Sequence, residues 1–71
     1  MSVIDDVTRA ARAVNSARES ERRAAFSSWS SFQSFLKRKG FVKIANVLID
    51  VIDEHGWPWL RDKLRAILSQ I

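Results

Sequence analysis

Apolar residues recur along the chain at spacings of three and four, not two, and they fall into four blocks. In the first, Val3, Val7, Ala10, Ala11, Val14 and Ala17 form a narrow helical stripe. Ser2 with Asp5 three residues later reads as a capping-box pair whose carboxylate also suits the helix dipole. The stripe is mostly alanine and valine, so it permits close packing and buries little area. This helix is expected to reach about Arg23, where Glu19, Glu21, Arg22 and Arg23 make it polar all round.

The second block follows a serine-rich stretch, with Ser27 or Ser28 placed to cap a helix over 28–39. Its apolar face is Trp29, Phe32, Phe35 and Leu36. Lys37, Arg38 and Lys39 occupy the last turn, where cations meet the negative dipole end, and Gly40 supplies a left-handed stop. A third helix spans 41–54. Phe41, Ile44, Ala45, Leu48, Val51 and Ile52 make its main face, and Val42, Val47 and Ile49 widen it, the pattern of a central helix packed by neighbours. Gly56 ends it. Pro58 suits the first turn of a fourth helix over 58–69, which carries Trp59, Leu60, Leu64, Ile67 and Leu68. The expected architecture is all-α: a compact four-helix bundle in which residues 1–71 form one domain.

Composition narrows the chemistry. A chain of 71 residues buries only ~60% of its unfolded surface, so its core is thin. It has no cysteine, which excludes disulfides and thiolate metal sites, and its single histidine excludes a multi-histidine zinc cage. Two glycines and one proline leave little turn material for a β-fold or a phosphate loop. His55 has no cysteine nucleophile to activate and suits the C-terminal turn of a helix. Asp50, Asp53 and Glu54 read as a solvated acidic face. The expectation is a non-enzyme with no cofactor, no metal and no small-molecule substrate.

The net charge of +4 is unevenly placed. Residues 1–25 carry five arginines against four carboxylates, and residues 41–56 are net acidic. The excess lies in residues 26–40 and 57–71, which also hold all three tryptophans. Indole favours the bilayer interface, where the ring meets acyl chains and the N–H stays wet. Beside clustered cations it can anchor a protein on an anionic membrane. The expected membrane-binding residues are therefore Trp29, Lys37, Arg38, Lys39, Trp57, Trp59, Arg61, Lys63 and Arg65, although Trp59 also lies on the apolar stripe and suits core packing. Nucleic acid competes for the same charge through Arg9, Arg12, Arg18, Arg22 and Arg23, but these arginines are nearly matched by carboxylates and the third helix is too apolar and acidic to read a groove. The third helix's broad apolar surface and the weak alanine-rich stripe of the first favour another alternative, a non-catalytic interaction module or homo-oligomer. No stretch reads as a signal peptide or a bilayer span: Asp5 and Asp6 open the chain, and the longest uncharged run, Ala24 to Leu36, contains five serines.

The run Trp59-Leu60-Arg61-Asp62-Lys63-Leu64-Arg65-Ala66-Ile67-Leu68 resembles the end of the aureocin- and lacticin-Q-like leaderless bacteriocins. Phe35-Leu36-Lys37 with Gly40 is similar to that family's early Phe-Leu-Lys segment, and Asp50-Val51-Ile52 before Gly56 to its turn into the last helix. The resemblance covers residues 35–71. It implies a saposin-like bundle, secreted without a classical signal peptide, that permeabilises bacterial membranes through a cationic, tryptophan-bearing surface. Lys37, Lys39, Lys63, Trp57 and Trp59 match that role. The chain departs from the family in its additional first helix, its preference for arginine over lysine, its more numerous carboxylates and its smaller net charge. An interaction module would instead be cytoplasmic.

Overall fold

The computed structural model describes residues 3–71 and is helical throughout its regular structure, with no strand among them. Five helices follow in order: α1 Val3–Asn15, α2 Glu19–Ala25, α3 Trp29–Arg38, α4 Val42–His55 and α5 Trp57–Leu68. The helix expected over 3–23 is thus two helices, and the count is five instead of four. The break has a local cause. Asn15 and Ser16 are residues whose side chains compete with the helical ladder. Ser16 Oγ donates to the Ala13 carbonyl at 2.8 Å, and the Ala17 N–H closes a tight turn on Val14 at 3.0 Å. Arg18 is then extended (φ −65°, ψ 154°) and α2 starts afresh. Ser2, half of the expected capping pair, lies outside the described residues.

The other boundaries follow their punctuation. Ser28 is extended and its hydroxyl accepts the Ser31 N–H at 3.1 Å, so α3 opens at Trp29. At its far end Gly40 takes φ +87°. The Gly40 N–H donates to the Lys37 carbonyl at 3.1 Å and the Phe41 N–H to that of Leu36 at 2.8 Å, a Schellman closure. Gly56 (φ 85°, ψ 165°) ends α4 and at the same time begins α5, with Pro58 in the first turn.

One core joins these elements. Its fully buried larger side chains are Val7, Val14, Phe32, Phe35, Leu36, Leu48, Leu60 and Leu64. α1 lies against α5 and α4, α2 against α3, α3 against α4, and α4 against α5. The radius of gyration, 10.7 Å, is close to the roughly 11 Å of a folded chain this long.

α1 and α4 differ in how much they bury. α1 buries Val7, Ala10, Ala11, Ala13 and Val14, because small side chains let its backbone approach two neighbours at once. α4 buries only Ala45, Leu48 and Val51, and leaves Val42 47% and Val47 38% exposed. α4 nonetheless packs against three helices, α1, α3 and α5, as expected of a central helix, and part of its apolar circumference is left uncovered.

Candidate functional site

Two capping devices bring two indoles together. Ser28 starts α3 so that Trp29 is its first residue, and Gly56 turns the chain so that Trp57 is the first of α5. The two ring centroids stand 6.2 Å apart. Phe32 lies 5.5 Å from Trp57 and 6.3 Å from Trp29, and Phe26, at the end of α2, stacks on Phe32 at 5.8 Å. These spacings fall within the favourable range for aromatic pairs. Phe32 is fully buried, while Phe26, Trp29 and Trp57 are half-buried. The group is therefore the rim of the core, with its outer edges at the surface.

Cations border this rim. The Arg65 guanidinium sits 5.7 Å from the Phe26 ring centroid and shares a surface hollow with Arg22, Arg23 and Leu68. Trp59, one turn into α5, is half-buried and stacks on His55 at 4.1 Å, with Lys63 Nζ 5.6 Å from its ring centroid. Both contacts are of cation–π geometry. Arg61 Nε approaches the Asp62 carboxylate at 3.5 Å but is not aligned to donate to it, and that nitrogen is buried without an acceptor. His55 is exposed, with Nε2 4.0 Å from Glu54.

Lys37, Arg38 and Lys39 are exposed at the opposite end of α3, about 14 Å along its axis from Trp29 to Arg38. Lys39 pairs with Glu21 at 3.2 Å and covers the Phe35 ring at 5.9 Å. Lys37 and Arg38 form no ion pair among the described residues. The structure thus gathers Trp29, Trp57 and Arg65 in one place and Trp59 with Lys63 in another, and sets the α3 cations apart. Asp50, Asp53 and Glu54 are exposed, and no cluster of three or more metal-ligating side chains occurs among the described residues.

A further cationic and apolar feature lies between α1 and α4, away from the expected membrane-binding residues. Phe41, Ile44 and Val47 run along one edge of α4, with Phe41 37% and Val47 38% exposed. Arg9 and Arg12, one turn apart on α1, border them, and Lys43 stands on the α4 side. None of the three cations has a carboxylate partner among the described residues. The sequence signal was the spacing of three shared by the two rows. Phe41 and Ile44 equally suit a core face, which obscures it.

No protein family, curated protein or solved structure matches the chain. No described helix is long and apolar enough to cross a membrane.

Proposed function

We propose that the protein is a bacteriocin-like antibacterial that binds anionic bacterial membranes and permeabilises them, acting outside the cell that makes it. The observation that carries this reading is the half-buried Trp29–Trp57 pair, at 6.2 Å, with a guanidinium over the adjoining Phe26. An indole rim next to a cation offers apolar area to the acyl boundary and positive charge to the phosphate layer. Trp59 with Lys63 repeats the arrangement on α5. Lys37, Arg38, Lys39 and Arg61 add attraction to an anionic leaflet, each worth about 1 kcal/mol when close to it. In this reading α3, α4 and α5 are the saposin-like unit suggested by the resemblance, and α1 fills the place of an additional bundle helix.

Growth inhibition of bacteria with simultaneous loss of membrane potential, followed with a potential-sensitive dye, tests the proposal. Inhibition without depolarisation counts against membrane action, and neither effect at micromolar protein counts against the function altogether.

A second reading, self-association through a non-catalytic interaction surface, is favoured by a different observation. Ile4 is 57% and Ile71 61% exposed, and both line a hollow with Ile67 between α1 and α5. Sedimentation equilibrium that reports a dimer at micromolar concentration supports it.

A further inference from the structure

The groove between α1 and α4 sets a row of partly exposed apolar side chains beside cations that have no ion-pair partner among the described residues. Phe41, Ile44 and Val47 form the row, and Arg9, Arg12 and Lys43 flank it. Among the described residues the only carboxylate lining it is Asp6, which is 6% exposed and lies at the Val47 end, so these side chains carry a net +2. The carboxylates of α2 are engaged elsewhere, Glu19 by Arg23 and Glu21 by Lys39.

We propose that this groove is a second face that seats on the anionic bilayer, in addition to the tryptophan rim, with Phe41 and Val47 entering the headgroup layer and Arg9, Arg12 and Lys43 binding lipid phosphates. The inference rests on the membrane reading above and assigns it a surface outside residues 57–71. Guanidinium is suited to the task, since its fork of donors matches a phosphate and its stem can lie along apolar surface. The small size of the patch favours lipid over protein. A stable protein partner needs about 20–30 residues a side, whereas a fluid bilayer brings headgroups to a few anchors.

The absence of cysteine makes the test clean, because one introduced thiol carries one label. An environment-sensitive NBD dye is attached to Val47→Cys in the groove or to Ser30→Cys, which is exposed next to Trp29. Vesicles of phosphatidylglycerol and phosphatidylcholine are then added. The expected result is a blue shift and quenching by lipid-borne spin labels at position 47, as at position 30 beside the tryptophan rim. Arg9→Gln with Arg12→Gln is expected to weaken partition roughly 30-fold, about five-fold per cation, while far-ultraviolet circular dichroism stays unchanged. The charge-matched Lys37→Gln with Arg38→Gln is expected to weaken it less.

If vesicles shift the native tryptophan emission but the label at 47 stays aqueous, the groove assignment is overturned and the membrane reading stands. If the native protein does not bind anionic vesicles, both fall. A shift at 47 that appears without lipid and rises with protein concentration makes the groove an interface between copies, which also overturns the assignment.

Discussion

Gly56 ends α4 and begins α5, and replacing it with alanine isolates what its backbone contributes. Its φ of 85° and ψ of 165° lie in a region essentially restricted to glycine. Space is not the obstacle, because an added Cβ would meet only Pro58 Cδ at 3.9 Å, an ordinary contact. The cost of Gly56→Ala is therefore backbone strain alone, about 2–3 kcal/mol. For a domain of this size that corresponds to a fall in Tm of roughly 10–20 °C. Thermal and urea melts followed by circular dichroism measure it. The decisive comparison replaces Gly56 with D-alanine by chemical synthesis. The mirror-image residue finds these angles in its own extended region, so it is expected to match or exceed the native stability. Equal losses for the two alanine enantiomers would refute the argument, since strain tied to the L configuration predicts the loss for L-alanine alone.

The cap that sets Trp29 is weaker. Ser28→Ala is expected to cost about 1 kcal/mol in urea unfolding, through the lost acceptor for the Ser31 N–H. On α4, Leu48→Ala is expected to cost about 2–5 kcal/mol and Val42→Ala less than about 0.5 kcal/mol, because Leu48 is fully buried and Val42 is 47% exposed. Comparable losses at the two positions would show that α4 is covered on its outer side in solution. Lys39→Met is expected to change stability by less than about 1 kcal/mol despite the 3.2 Å pair with Glu21, both side chains being about two-fifths exposed. A salt titration of the native protein gives the same bound.

The elements that the sequence announced are those with residue-specific punctuation. Ser28, Gly40, Gly56 and Pro58 set the limits of α3, α4 and α5 to within a residue or two, because each acts through its own backbone geometry. The break after Asn15 was hidden by periodicity. The alanine–valine stripe continues in register to Ala17, so the pattern reads through a turn created by hydrogen bonds as weak as that of Ser16 to Ala13. The relative burial of α1 and α4 was illegible for a different reason. Apolar circumference reports what a helix can bury, whereas backbone closeness decides what it does bury, and alanines at 10, 11 and 13 give α1 that closeness.

The same distinction applies to the candidate surfaces. The tryptophans were legible as residues, but their pairing is tertiary: it depends on where α3 and α5 begin and on Phe32 between them. Charge counted by segment argues against Arg9 and Arg12 as a binding surface, since residues 1–25 are nearly neutral in sum. In space Glu19 and Glu21 turn to Arg23 and Lys39, and the α1 arginines are left facing Phe41 and Ile44.

The central claim, that this chain acts on anionic membranes, is tested most directly by leakage of an encapsulated dye, measured with intrinsic tryptophan emission on the same sample. Vesicles containing phosphatidylglycerol are expected to release their contents at micromolar protein, with a blue shift of the tryptophan spectrum. Vesicles of phosphatidylcholine alone are expected to show neither at physiological salt. Intact anionic vesicles with an unshifted spectrum would contradict the account.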